Sequence, residues 1–81
     1  MKIFYSPHFN RNFNNFSLEI RQKFEKQIDY LLNDIRHPSL RAKKYDETRG
    51  IWQARVDKGV RFYFLINNNT YILLDIEKHS K

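Results

Sequence analysis

The chain has 81 residues, a length at which one domain around a single hydrophobic core, spanning residues 1–81, is expected. It has no cysteine, which excludes a disulfide framework and thiolate metal sites, and no apolar run approaches a membrane span. Fifteen Lys+Arg against nine Asp+Glu give a net charge of +6, and eight of the basic but only three of the acidic residues fall between Arg36 and Arg61. We therefore expect a cytoplasmic protein, with no membrane partner, that meets an anionic nucleic acid or acidic protein at one place. A basic face kept for solubility is the alternative.

A short strand over residues 2–5 is followed by two predicted helices. Ser6, followed by proline, is a helix N-cap signal. Ser17 is a plausible cap for a second, longer helix, which should end by about Arg36 because Pro38 disfavours helical geometry at the residue before it. Apolar residues recur at helical spacing along both segments, which indicates one buried face on each. These residues are Phe9, Phe13 and Phe16 in the first helix and Ile20, Phe24, Ile28, Leu31 and Ile35 in the second.

The second half of the chain is predicted to be a loop and then a β-meander. Residues 36–50 show neither a helical nor a strand period, so they are predicted as a long, basic loop. Turn signals at Lys58-Gly59 and at Asn67–Asn69 separate three strands. The predicted strands are 51–57, 60–66 and 70–78. The fold class is therefore α+β, with an N-terminal helical hairpin packed on a small, mainly antiparallel four-stranded sheet.

Alternation along the strands assigns the side chains to two faces of the sheet. Arg55, Arg61, Tyr63 and His79 share the face that the helices leave uncovered, beside the basic loop. The apolar sets must lie under the helices, and they are Trp52, Ala54 and Val56, then Val60, Phe62, Phe64 and Ile66, then Ile72, Leu74 and Ile76. The predicted core comprises Phe24, Ile28, Leu31, Trp52, Phe62, Phe64 and Leu74. Such a cationic, partly aromatic face suits a phosphate ligand, although polar residues on the solvent side of a sheet are also ordinary.

The stretch "HPSLRAKKYDETRGIWQARVDKGVRFYFLI", closed by "YILLDIEKH", resembles the RelE/ParE superfamily of type II toxin–antitoxin toxins. The most specific parts are "HPSL" before the basic residues, Trp52 with Arg55 three residues later, the "VRFYF" strand around Arg61, and the final "KH". With the helical hairpin, the resemblance covers essentially the whole chain. It implies the RelE/ParE toxin fold and, for the RelE-like branch, a metal-independent endoribonuclease that cleaves mRNA on the ribosome and inhibits translation.

The resemblance also implies roles for individual residues. Arg61 matches the strand arginine that contacts the scissile phosphate, and His79 matches the histidine that acts as acid or base in several members. Lys43 or Lys44 matches the basic residues of the loop. The residues implied to hold RNA are Arg41, Arg55 and Tyr63. No cofactor or metal is expected, and the implied partners are mRNA and a cognate antitoxin with an acidic or amphipathic segment, with operator DNA bound only through that antitoxin.

The residue types suit cleavage of RNA without a metal ion. The 2′-OH must lose a proton and attack phosphorus, positive charge must stabilise the phosphate, and an acid must protonate the leaving 5′-oxygen. Arginine suits the second task and histidine suits proton transfer. Other chemistries lack their motifs, since the three histidines have no metal-ligand spacing, no serine stands in an elbow motif, and no glycine-rich phosphate loop exists.

Two other functions remain open. The ParE-like branch inhibits DNA gyrase by protein contact and does not cleave RNA. A catalytically weakened toxin is the other possibility, because many relatives carry a tyrosine after the histidine, where this chain has Ser80 and Lys81. The loop also has no sure counterpart of the acidic residue that some relatives use as a base.

Overall fold

Two helices cover one face of a five-stranded sheet in the computed structural model, which describes residues 1–79 of the chain. Ser80 and Lys81, which follow the predicted catalytic histidine, lie outside the described residues. The elements in chain order are β1 (Lys2–Tyr5), α1 (Pro7–Phe13), α2 (Leu18–Asn33), β2 (Lys43–Asp46), β3 (Ile51–Asp57), β4 (Val60–Asn67) and β5 (Thr70–Lys78). The α+β class and the first strand at residues 2–5 are confirmed.

The two helices begin at the serines that the sequence predicts. The Ser6 Oγ accepts a hydrogen bond from the Phe9 N–H at 3.1 Å, and the Ser17 Oγ accepts one from the Ile20 N–H at 3.2 Å. Each cap satisfies a backbone donor that has no partner within the helix. The second helix ends at Asn33. Within the described residues, neither helix is both long enough and apolar enough to cross a membrane.

The sheet has the strand order β1-β5-β4-β3-β2, in which β1 runs parallel to β5 and the other neighbours are antiparallel. The prediction of four strands was wrong by one. Residues 43–46, assigned to the basic loop, form the edge strand β2, which pairs with β3 and contains an irregularity between Lys44 and Asp46. Three of its four residues are exposed, so no apolar alternation could reveal it. Lysines and a bulge on an edge strand also oppose pairing with another chain.

The helices and the sheet share one aromatic core. Phe24 on α2 is fully buried and lies 5.2 Å from the ring of Phe9 on α1 and 5.2 Å from the ring of Phe62 on β4. Burial of each such side chain stabilises the fold by roughly 1.5–3 kcal/mol. Trp52 is half-buried and stacks on Phe64 at 6.1 Å. The predicted core residues Phe24, Ile28, Leu31, Phe62 and Phe64 are buried, and Trp52 packs against them.

Strand β5 changes its alternation partway along its length. Tyr63 on β4 pairs with Asp75, but the next residue, Phe64, pairs with Leu73, so Leu74 is an extra residue in β5. A bulge of this kind reverses which side chains face the core beyond it.

The bulge corrects the predicted inward face of β5. Tyr71 and Leu73, predicted to face outward, are 6% and 0% exposed. Ile72 and Leu74, predicted to face the helices, lie on the uncovered face instead, and Leu74 is therefore not a core residue. Ile76, beyond the bulge, is buried as predicted. Counting alternate residues assumes an unbroken register, and one inserted residue is enough to invalidate it.

One buried polar side chain ties α2 to the sheet. Gln27 is 4% exposed, and its Nε2 donates to the backbone oxygens of Ser39 at 3.1 Å and Arg55 at 2.9 Å. Its Oε1 accepts a hydrogen bond from the Ser39 Oγ at 2.9 Å. A buried amide is tolerated when its donors and acceptor are satisfied in this way.

We predict that Gln27→Leu lowers the free energy of unfolding by about 2 kcal/mol, because the partly buried polar groups of Ser39 and Arg55 lose their partner. Urea denaturation followed by circular dichroism measures the change. Gln22→Leu is the matched control, since Gln22 lies on the exposed side of the same helix. Equal stability of the two variants would contradict a stabilising role for these hydrogen bonds.

Candidate functional site

Six basic residues converge on the uncovered side of the sheet. Arg41, Arg55 and Arg61 line both a cavity of about 640 Å³ and a smaller one of about 230 Å³ beside it. His79 and Lys58 line the larger cavity and Lys43 lines the smaller. We call these six residues and the two cavities the cationic cleft. The fold thus brings together five of the seven site residues predicted from the sequence and adds Lys58, which was not predicted.

Arg55 and Arg61 face each other directly across β3 and β4, where they are partners in the ladder. Their strand neighbours Ala54 and Phe62 are also partners, and these are buried under the helices. The two arginines therefore lie on the face that alternation predicts, opposite the core.

No ion pair neutralises the cleft. Within residues 1–79, none of the six cleft residues forms an ion pair, although Glu77 on β5 is the ladder partner of Arg61. Partial desolvation, together with the nearby positive charges of Arg41 and Arg61, lowers the pKa of Arg55 from its ordinary value. Like charges placed opposite each other on a sheet destabilise the pair. The arrangement therefore favours an anion as ligand and costs stability without one.

The Arg61 guanidinium is held in place by the turn between β3 and β4. Its Nη1 donates to the backbone oxygens of Asp57 at 2.9 Å and Lys58 at 3.1 Å. Freezing a long side chain costs up to about 2 kcal/mol of rotamer entropy. Because these hydrogen bonds already hold the Arg61 side chain in the folded protein, part of its rotamer entropy is lost on folding and not on binding. The N–H groups that remain are therefore oriented for a ligand.

The loop before β2 places Arg41 at the cleft. Leu40 is fully buried, and its backbone oxygen accepts a hydrogen bond from the Arg55 N–H at 2.8 Å. Arg41 follows with φ of 47°, a left-handed conformation that is uncommon for a residue with a side chain. Such strain persists only where the surroundings impose it, and it is frequent at functional sites.

His79 reaches the cleft from the end of β5. Its backbone N–H donates to the oxygen of Gly59 at 2.7 Å, which ties the residue to the β3–β4 turn. Its side chain is exposed and lines the same cavity as Arg61. The His79 imidazole, which can gain or lose a proton, and the charged Arg61 guanidinium thus border one cavity. Arg61 comes from β4 and His79 from the end of the neighbouring strand β5.

The two lysines of β2 lie on opposite sides of the sheet. Lys43 pairs with Gln53 and lines the cleft. Lys44 pairs with Trp52, and its Nζ lies 5.5 Å from the centre of the indole ring and 3.9 Å from a Glu47 carboxylate oxygen. The structure therefore brings Lys43 to the cleft and does not bring Lys44 there.

Tyr63 borders the cleft but does not line it. Its hydroxyl accepts a hydrogen bond from the Gln53 Nε2 at 3.1 Å and donates to the Glu77 Oε1 at 3.3 Å. Burial, with a further contribution from the Glu77 carboxylate, raises the pKa of Tyr63. Its ring meets the ring of Tyr45 edge to face, with centroids 5.0 Å apart. Because its pKa is raised, the phenol of Tyr63 stays protonated at neutral pH.

Tyr45 and Lys58 are the two residues at this face that the sequence prediction missed. Lys58 lies in the turn between β3 and β4 and lines the larger cavity. Tyr45 is 60% exposed and lies on the edge strand β2, at the irregularity between Lys44 and Asp46. Its ring contact with Tyr63 puts it on the uncovered face, and strand alternation cannot show this because the register is broken at Tyr45.

The arrangement can bind a phosphate and supply a proton donor or acceptor beside it. Guanidinium groups bind phosphate oxygens through charge-assisted hydrogen bonds, and imidazole can transfer a proton near neutral pH. No acidic side chain lines either cavity within residues 1–79. In the same part of the chain, no group of three or more His, Asp and Glu side chains is arranged to hold a metal ion.

Several solved toxin structures have the same fold as this chain. No protein-family model and no curated protein matches the sequence. A YoeB/ParE toxin from Agrobacterium tumefaciens superposes with a TM-score of 0.81 at 12% identity, over 99% of this chain and 100% of its own. A chain of the heterotetrameric YoeB–YefM toxin–antitoxin complex from Staphylococcus aureus gives 0.79 at 13% identity, over 99% of this chain and 98% of its own. A chain of the archaeal RelE–RelB complex from Pyrococcus horikoshii gives 0.80 at 12%, over 99% and 96%. The chain therefore has the RelE/ParE toxin fold that the resemblance of its sequence implies.

Proposed function

We propose that this protein is the toxin of a type II toxin–antitoxin system and a metal-independent endoribonuclease that cleaves mRNA on the ribosome. The observation that carries the proposal is the cationic cleft, in which three arginines that form no ion pair within residues 1–79 border the same cavity as a histidine. The similarity of the fold to YoeB and RelE toxins supports it.

The cleft residues have distinct tasks in such a reaction. The 2′-hydroxyl gives up its proton and its oxygen attacks the neighbouring phosphorus, the bond from phosphorus to the 5′-oxygen breaks, and a proton must reach that leaving oxygen. Arg61, already oriented by the turn, stabilises the charge that grows on the phosphate. His79 transfers a proton, and Arg41, Lys43 and Arg55 hold the RNA backbone. Lys44, on the other side of β2, makes no contact with the scissile phosphate in this scheme.

Inhibition of DNA gyrase by protein contact is the second candidate function. The structure from Agrobacterium tumefaciens carries both names, YoeB and ParE, so the fold does not separate the two activities. In that case the cationic cleft would serve the antitoxin alone. A toxin with weakened catalysis would keep RNA binding and lose most of the cleavage.

An antitoxin is the proposed protein partner. The Staphylococcus aureus and Pyrococcus horikoshii relatives were solved in complex with YefM and RelB. For this chain we propose an antitoxin whose acidic or amphipathic segment covers the cationic cleft and neutralises it. Operator DNA would be bound through the antitoxin and not by the toxin itself.

Expression of the wild type in growing cells should produce new mRNA ends, and Arg61→Ala and His79→Ala should each reduce their yield by roughly 100-fold or more. The reason is the loss of phosphate charge stabilisation in one variant and of proton transfer in the other. Sequencing of mRNA 5′ ends measures the yield.

The control for this experiment is Arg11→Ala, which removes an arginine from an exposed position on α1. It should cleave as the wild type does. Growth arrest with intact mRNA and broken chromosomal DNA would contradict the ribonuclease and support gyrase inhibition.

The reading frame next to this gene should encode a small acidic protein that copurifies with the toxin. Its binding should weaken with salt, because exposed charges are screened. Arg55→Glu should reduce the affinity measured by calorimetry, and Arg11→Glu, which reverses a charge away from the cleft, should not. An equal effect of both reversals, or a locus without an acidic neighbour, would contradict this partner.

A further inference from the structure

An exposed aromatic pair adjoins the cationic cleft on the same face of the sheet. Tyr45 is 60% exposed, and its ring lies 5.0 Å from that of Tyr63 at an interplanar angle of 67°. Gln53 joins the pair to the cleft, because it lines the smaller cavity and donates to the Tyr63 hydroxyl at 3.1 Å. The aromatic pair and the cleft therefore form one continuous surface.

The aromatic pair borders a separate hollow of about 250 Å³. Ile51 and Leu74 contribute apolar surface to it, and Asp75 and Glu77 contribute carboxylates. The Asp75 carboxylate is already engaged, since its Oδ1 accepts hydrogen bonds from the Asn12 Nδ2 at 2.6 Å and from the Ile76 N–H at 2.8 Å. The Glu77 Oε1 accepts a hydrogen bond from the Tyr63 hydroxyl, and its other carboxylate oxygen accepts none within residues 1–79.

The chemistry of this hollow is opposite to that of the cleft. Two carboxylates repel a phosphate, whereas the apolar floor and the tyrosine rings suit a flat, uncharged group. A nucleobase is such a group, and the amino hydrogens of adenine, guanine or cytosine can be donated to a carboxylate such as Glu77. Every base has a π-face, so stacking on tyrosine is tolerant of sequence.

The distance between the cationic cleft and the aromatic pair fits one nucleotide. Arg61 and Tyr63 are two residues apart on β4, which is about 7 Å along a strand and puts both on one face. A phosphate on Arg61 would therefore have its attached nucleoside within reach of Tyr63 and Tyr45.

We propose that Tyr45 and Tyr63 form a base-stacking subsite, which receives a nucleobase of single-stranded RNA whose phosphate is bound in the cationic cleft. This inference rests on the proposed function, and it adds a residue, Tyr45, to which neither the sequence resemblance nor the comparisons give a role. Tyr63 is the fixed half, held by hydrogen bonds to Gln53 and Glu77. Tyr45, exposed on the edge strand and in edge-to-face contact with Tyr63, offers the ring face on which the base stacks.

The test uses a six-nucleotide single-stranded RNA with every 2′-OH methylated, which prevents cleavage, and six versions of it that each lack one base. Fluorescence anisotropy at low salt measures affinity. For the wild type, loss of the base at one position should weaken binding about tenfold, the size expected for one stacked base. Tyr45→Ala should weaken binding of the complete RNA about tenfold and leave the affinity for that one abasic RNA unchanged.

Two variants serve as controls for the loss of the Tyr45 ring. Tyr45→Phe keeps the ring and should bind as the wild type does. Phe4→Ala removes an aromatic side chain of similar exposure, 54%, from β1 at the far edge of the same sheet, and should have no effect. Thermal unfolding of each variant confirms that it is folded.

The outcomes separate this inference from the proposed function. If Arg61→Ala loses RNA binding and Tyr45→Ala does not, or if Tyr45→Ala weakens every abasic RNA equally, the stacking subsite is contradicted and the ribonuclease is not. If Tyr45→Ala weakens only the antitoxin, the occupant is a peptide and the inference is also wrong. If the stacking result holds but no mRNA is cleaved in cells, the subsite remains and the catalytic proposal fails.

Discussion

The pairing of Ala54 with Phe62 in the core is the constraint that fixes where Arg55 and Arg61 lie. The two residues face each other because Ala54 and Phe62, their neighbours on the strands, pair with each other in the core. Like charges in this position cost up to about 1 kcal/mol, whereas burial of a side chain such as Phe62 contributes roughly 1.5–3 kcal/mol. The core therefore decides the register, and the opposite face must accept two like charges, neither of which forms an ion pair within residues 1–79 although Glu77 is the ladder partner of Arg61. An anion bound between the two arginines would relieve their repulsion.

The same core also fixes the groups that complete the cleft. Gln27 binds the backbone oxygens of Ser39 and Arg55 at once, and the buried Leu40 accepts a hydrogen bond from Arg55. Arg41 follows these anchors in a left-handed conformation. Helix α2, the basic loop and β3 are thus held together at the point where the charge is concentrated. A substitution that loosens α2 is expected to disturb the cleft without touching any ligand.

The sequence allows those parts of the structure to be predicted that depend on local signals or on contact with the core. The serine caps, the amphipathic face of α2 and the placement of Arg55 and Arg61 belong to this class. Strand β2 could not be predicted, because an edge strand that is exposed on both faces has no apolar alternation. Leu74 was misplaced for a different reason, since a bulge depends on the pairing with β4 and not on the composition of β5. Tyr45 was missed because it lies on β2, the strand that was not predicted.

The two proposed ligands of the uncovered face, an acidic antitoxin segment and RNA, would not use the same parts of it. An acidic antitoxin segment can neutralise the cleft, but the carboxylates of Asp75 and Glu77 beside Tyr63 would repel it there. A nucleotide presents both a negative phosphate and a flat base, so it can occupy the cleft and the hollow together. The two ligands would then compete for the arginines while only RNA uses the tyrosines. Under these two proposals, the charge of this face would set how tightly either ligand binds, and its tyrosine rings would determine which of them can use the whole surface.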